Sequence, residues 1–318
     1  MKKLISGMML LVMLFCCLFA NSGIAKEGKI CVVTTIFPIY DWAREMIGDD
    51  EGIELTLLLN SGVDLHSFQP TAADIMKVAS CDVFIYVDGE SDEWVEDALQ
   101  ETVNPDMKVI NLLETLGDDA KEEEIVEGME AEAEEEGEVE YDEHVWLSLR
   151  NAEKLVAVIA ETLGEVAPEK AETYAANCAD YIAKLDALDM AYGEVVEGAA
   201  VDTLLFGDRF PFRYLVDDYG LNYFAAFSGC SAESEASFET IVFLSGKVDE
   251  LDLPAVLTIE GDNHRIAETI VGNTQSKSAA ILTMDSMQAT TAKDVSNAVT
   301  YLSIMESNLD VLKQALSR

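Results

Sequence analysis

From Lys29 onward, short apolar runs rich in β-branched residues alternate with longer stretches of helical period. Ile30 to Ile36 is an apolar, strand-like run ended by Pro38, and Ile39 to Ile47 reads as a helix stopped by Gly48. Ile53 to Leu59 follows as a strand, then a helix capped by Thr71 and running to Ala79. Val83 to Val87, Trp94 to Leu99 and Lys108 to Leu112 continue the alternation as strand, short helix and strand. After residue 143 a helix is predicted from about Asn151 to Leu163. Another opens at Pro168 and ends at Gly198. Its apolar positions are Tyr174, Cys178, Tyr181, Leu185, Leu188 and Tyr192, separated by steps of four and three that keep one face apolar over several turns.

The alternation then starts again. Strands are predicted at Thr203 to Phe206, Asn222 to Phe227, Ala255 to Ile259 and Ala279 to Met284. Helices are predicted at Phe212 to Asp218, Phe238 to Val248, His264 to Ile270 and, last, from about Lys293 to Leu316. Two blocks of βα units flanking one long helix predict an α/β protein of two lobes. Each lobe is a mostly parallel sheet flanked by helices, and the long helix joins them as a rigid spine. The boundaries expected are 26–167 for the first lobe, 168–198 for the linking helix and 199–318 for the second lobe.

The amino terminus changes the picture of where this protein works. Lys2 and Lys3 precede an apolar run from Leu4 to Ala20, with small residues at Gly23 and Ala25. That is the layout of a secretory signal peptide over 1–25, and it implies export to the periplasm or the outer face of the membrane. Cys16 and Cys17 keep lipid anchoring open, although Leu14 and Phe15 are bulkier than a lipid-attachment site favours. Removing residues 1–25 takes the net charge from −41 to −43, because that segment holds two lysines and no acid. A chain so acidic repels nucleic acid and anionic membranes and attracts cations.

Fifteen of those acids fall in residues 118–143, beside the single basic residue Lys121. Such a run is expected to form a flexible loop inserted in the first lobe. Cys31, Cys81, Cys178 and Cys230 remain after export; no CxxC pair occurs, and their pairing is open.

In open α/β sheets, ligands bind beyond the carboxyl ends of the strands. The residues that follow the predicted strands are therefore the candidates. They are Asp64 and His66, Asp208 and Arg209, Cys230, Glu260 and Asp285, with His144 just after the acidic insertion. Two of the chain's three histidines lie in these loops. The third, His264, reads as a surface residue. Two neutral imidazoles plus two carboxylates would neutralise a divalent cation, and that nitrogen–oxygen mix suits zinc, manganese or ferrous iron rather than calcium.

Four segments carry a resemblance to the metal-binding receptors of zinc and manganese ABC importers. Asp64-Leu65-His66-Ser67-Phe68-Gln69-Pro70 resembles their PHxYEP segment, and Asp142-Glu143-His144-Val145-Trp146-Leu147 their DPHxWLDP segment. Phe212-Arg213-Tyr214-Leu215, followed by Tyr219-Gly220-Leu221, is similar to a third, and Thr283-Met284-Asp285-Ser286-Met287 to a fourth. The resemblance implies two lobes with one metal in the cleft between them, and His66, His144 and Asp285 as ligands. At the remaining ligand position this chain has Arg209, whose guanidinium stays protonated and cannot bind a cation. Asp208 and Glu260 are the two candidates to replace it.

The expected function is capture of a divalent cation, zinc before manganese, and its delivery to a membrane ABC permease by a monomeric binding protein. No catalytic step is needed, and no HExxH or GxSxG motif is present. A secreted zinc-dependent hydrolase and a metal-independent surface adhesin are the alternatives. Ligation by histidine implies an affinity that weakens below about pH 6.

Overall fold

The computed structural model describes residues 28–130, 140–231, 235–261 and 263–317. The expected signal peptide lies outside them. Among the described residues no helix is long and apolar enough to cross a membrane.

The first lobe runs β1 (Ile30–Thr34), α1 (Phe37–Ile47), β2 (Ile53–Leu57), α2 (Ala72–Ser80), β3 (Val83–Tyr86), α3 (Trp94–Gln100), β4 (Lys108–Asn111) and α4 (Leu112–Leu116). Two helices follow, α5 (Leu149–Val166) and α6 (Ala171–Glu197). The second lobe runs β5 (Thr203–Phe210), α7 (Arg213–Tyr219), β6 (Asn222–Ser228), α8 (Phe238–Leu251), β7 (Ala255–Thr258), α9 (Arg265–Asn273) and β8 (Ala280–Thr283), and ends with α10 (Ala292–Ser296) and α11 (Tyr301–Ala315).

Both sheets are parallel throughout, in the orders β2-β1-β3-β4 and β6-β5-β7-β8. The same connectivity is thus used twice. In each sheet the strand order reverses beside the first strand, which opens a crevice at the carboxyl ends. Side chains in β5 alternate between two apolar layers: Leu204 and Phe206 enter the large core that runs through both lobes, while Leu205 enters a smaller one under α8 and α9.

Helix α6 has 27 residues, a span of about 40 Å at the usual helical rise. Its buried residues are Tyr174, Cys178, Tyr181, Leu185, Leu188 and Tyr192, the stripe marked by the sequence period. Asn177 Nδ2 donates to the Met46 carbonyl in the first lobe, and the Tyr192 hydroxyl donates to the Met305 carbonyl in α11. One helix is thereby pinned to both lobes. Pro168 does not begin it; residues Pro168–Lys170 form a separate 3-10 turn.

Two further expectations are corrected. The last helix is broken, because Ala298 adopts φ 61° and Thr300 starts a new helix with a capping box to Ser303. The acidic insertion, read as flexible, is docked over most of its described length. Lys121 N–H donates to the Tyr214 hydroxyl, Glu123 N–H to the Glu140 carbonyl, and Glu130 N–H to the Ala226 carbonyl beside β6. Met129 is buried, and Glu124 accepts from the Tyr223 hydroxyl. Like charges repel along the sequence, yet these groups meet donors and acceptors from the second lobe and from the returning strand of the insertion itself. Residues 131–139 of the insertion lie outside the described residues.

Candidate metal centre

The two candidate histidines meet. His66 sits in a 3-10 turn, Leu65–Ser67, that follows β2 and is capped by Asp64, whose carboxylate accepts from the His66 N–H. His144 stands at the start of another 3-10 turn, Val145–Leu147, and is fully buried. The two Nε2 atoms are 3.4 Å apart. Two nitrogens bound to one tetrahedral zinc at about 2.05 Å would stand about 3.3 Å apart.

Each ring is held by its other nitrogen. Asp142 Oδ1 lies 2.9 Å from His144 Nδ1 and also accepts the His144 backbone N–H at 2.8 Å. A carboxylate can only accept, so Nδ1 carries the proton and Nε2 presents a lone pair. The Ser91 hydroxyl lies 2.7 Å from His66 Nδ1, and Glu143 Oε2 lies behind it at 3.9 Å. Glu143 Oε1 in turn accepts the Ser91 N–H. Gly89, at φ 85°, makes room for this carboxylate: a Cβ there would come within 2.5 Å of Glu143 Oε1. Nothing in the sequence pointed to Ser91. It lies in a short turn after β3, and only the fold brings it to His66.

Burial shapes the charges. Burial first, and the neighbouring His144 second, push His66 down to about 3. Burial raises Glu143 to about 7. Burial and the adjacent Glu260 raise Asp285 to about 7. His66 therefore stays neutral, ready to bind a cation, well below the pH at which a free imidazole protonates. The weakening expected from the sequence below about pH 6 moves correspondingly lower for this residue.

The sign for stability follows from proton counts. Between about pH 6.5 and pH 3 the unfolded chain protonates His66 and the folded chain does not. The contribution of His66 to metal-free stability is complete above about pH 6.5 and is lost as pH falls through that window, by up to about 1.4 kcal/mol per pH unit. The raised carboxyls oppose this trend, so the readout is a difference. Urea unfolding of the metal-free His66→Gln variant from pH 7 to 4 is expected to show a shallower acid loss than the parent. Parallel curves would contradict it.

The other candidates are placed differently. Asp208 lies in a bulge of β5, where its carboxylate accepts the Arg209 N–H at 2.9 Å and the Ile259 N–H at 3.3 Å. Glu260 accepts from the Ser286 N–H, the Ser286 hydroxyl and the Gln288 N–H. Both acids are thus engaged in holding loops. Asp285 caps its own turn, with Oδ1 accepting the Met287 N–H, and its backbone is clamped by Asn308. Arg209 pairs with Asp64, Nη2 to Oδ2 at 2.6 Å, across the crevice. Burial would raise Asp64, but the Arg209 hydrogen bond and charge override it and hold the carboxyl below its usual range. His264, expected at the surface, is half-buried between exposed neighbours.

Among the described residues, one group of metal-binding side chains brings its ligand atoms within 4.8 Å of one another: His66, His144 and Cys230. Asp208, Glu260 and Asp285 are not in that group.

A family model described as ZnuA, zinc-uptake complex component A, periplasmic, matches residues 32–315. The chain belongs to this family. Among curated relatives of this ZnuA family member, the zinc-binding lipoprotein AdcA of Streptococcus pneumoniae is 33% identical over 321 residues, covering 99% of this chain and 61% of AdcA. The chain therefore spans about three fifths of the length of that relative. The high-affinity zinc uptake system protein ZnuA of Bacillus subtilis is 29% identical over 298 residues, covering 93% and 90%. Among solved structures, the Zn(II)-bound ZnuA-like domain of S. pneumoniae AdcA superposes with a TM-score of 0.71 at 30% identity, covering 91% of this chain and 99% of that domain.

Proposed function

We propose that this ZnuA-family chain is the extracytoplasmic receptor of a metal ABC importer. It captures a divalent cation, zinc in preference to manganese, between its lobes and passes it to a membrane permease. One observation carries the reading: two imidazole Nε2 atoms, 3.4 Å apart and each with its Nδ1 already engaged, face one another in a buried crevice. Without metal one Nε2–H can donate to the other Nε2 across this gap, and a cation of the zinc class would replace that proton and take both lone pairs at nearly the same separation.

His66 and His144 are the ligands in this reading. Asp285 is the acid that the resemblance adds, and a carboxyl raised to about 7 by burial beside Glu260 gains from a cation nearby. The names of the zinc-binding and zinc-uptake relatives support zinc as the cargo. The role is binding and release by a monomer, and the chain acts without turnover. Export by the amino-terminal signal, with or without a lipid anchor, would place it outside the cytoplasmic membrane, where the permease receives its load.

The test is elemental analysis after stripping the protein and reloading it with equal zinc and manganese. One equivalent of metal, mostly zinc, is expected in the parent and well below one in His66→Ala. A parent that retains neither metal would overturn the reading.

A further inference from the structure

The geometry points to Cys230 as a third ligand of this site, so that two imidazole nitrogens and one thiolate sulfur take a thiophilic cation of the zinc class. This rests on the receptor reading above and adds a ligand that none of the four recognition segments contains.

Five observations converge. Cys230 is the residue whose sulfur joins His66 and His144 in the one group of ligand atoms that, among the described residues, lie within 4.8 Å of each other. In a tetrahedral zinc site a sulfur at about 2.3 Å and a nitrogen at about 2.05 Å stand about 3.6 Å apart, so from separations within 4.8 Å closing on an ion takes a side-chain adjustment of at most about 1 Å. On the neighbouring strand, Asp208 lies outside that group and holds two backbone donors, and Arg209 pairs with Asp64. Strand β6 pairs with β5 through Arg209↔Phe227 and Phe210↔Ser228, and Cys230 follows two residues later. The next strand thus supplies what β5 does not.

The approach of the Cys230 turn to His144 is built in. Gly229 packs directly on the imidazole, where a Cβ would lie 2.9 Å from His144 Cε1 and 3.0 Å from the Phe210 carbonyl oxygen. The turn is fixed from the other side as well, because the Cys230 N–H donates to Glu123 Oε1 at 3.3 Å. Through that bond the docked acidic segment holds the ligand loop in place.

Ligand hardness then sets the cargo. A thiolate selects zinc over manganese, which prefers oxygen donors. Without metal, burial and the surrounding Glu143, Asp142 and Glu123 carboxylates keep Cys230 a neutral thiol. Binding of the ion as Zn–S releases that proton to solvent, as metal coordination by a thiol requires. One thiolate, the Asp285 carboxylate as fourth ligand and a dication would leave the centre neutral.

Zinc K-edge absorption on the zinc-loaded full chain tests this without any substitution. A sulfur scatterer at about 2.3 Å beside nitrogens at about 2.0–2.1 Å is expected, with zinc affinity at least about tenfold weaker in Cys230→Ser and unchanged in the Cys178→Ser control. A shell of nitrogen and oxygen alone would overturn the Cys230 assignment while leaving the receptor reading intact. Failure of the parent to load zinc at all would overturn both.

Discussion

Replacing His144 by alanine is expected to reduce zinc affinity by more than about 100-fold, the largest effect of any single change in the chain. A partner held behind a metal-bound histidine is typically worth 10–100-fold in affinity, and the ligand itself more. His144 is buried completely, so the variant leaves a cavity as well as an absent donor. It must therefore be read beside Asp142→Asn. That change keeps the volume and the hydrogen bond but removes the charge that fixes the His144 tautomer. Isothermal titration with zinc should rank the proteins as parent, then Asp142→Asn weaker by roughly 10–100-fold, then His144→Ala weakest. His264→Ala, which lies outside the converging group, should match the parent. Equal affinity in the parent and His144→Ala would remove His144 from the site.

The second large effect concerns the pair that crosses the crevice. Asp64→Ala leaves the Arg209 guanidinium, only 16% exposed, without its carboxylate. Breaking one side of a fully buried pair costs about 3–5 kcal/mol; with Asp64 27% exposed, solvent screening reduces the expected loss to about 2 kcal/mol. The same change unmasks a positive charge beside a cation site and should weaken zinc binding as well. Adding Arg209→Ala removes the orphaned charge, so the double variant should regain part of the stability and the affinity, while the cap that Asp64 gives the His66 turn stays lost. Because the pair holds Asp64 below its usual range, its contribution is complete above about pH 4 and is lost as pH falls through the depressed value. Chemical unfolding of the four proteins of this cycle at pH 7 measures the coupling. Simple additivity would show that the two side chains act independently.

What the sequence made legible, and what it hid, divides along physical lines. Strands and helices announced themselves because parallel, doubly covered strands are apolar runs and amphipathic helices repeat with a period near 3.6. The buried face of α6 was readable residue by residue for that reason. The positions after each strand were readable because chain direction fixes the carboxyl edge of a parallel sheet. Which of those residues face one another was not readable. Asp208 and Glu260 are candidates because an acid in such a loop can bind a cation. The backbone N–H groups they also hold, of Ile259 for Asp208 and of Ser286 and Gln288 for Glu260, come from distant segments that no local pattern marks.

Ser91 carried no signal at all, and Cys230 was marked only by its place after a predicted strand. The insertion was judged by its own charge, whereas its docking depends on Tyr214, Tyr223 and the Ala226 carbonyl, about 90 residues and more further along the chain. The break in the last helix turns on a single left-handed residue, Ala298, whose type gives no hint of that conformation.

The capture of zinc between His66 and His144 is tested most directly by anomalous diffraction at the zinc edge from crystals of the stripped and reloaded protein. The expected result is a single strong peak within bonding distance of both Nε2 atoms, about 2.0–2.1 Å from each. A peak elsewhere on the acidic surface, with the two imidazoles still facing one another unbridged, would contradict it.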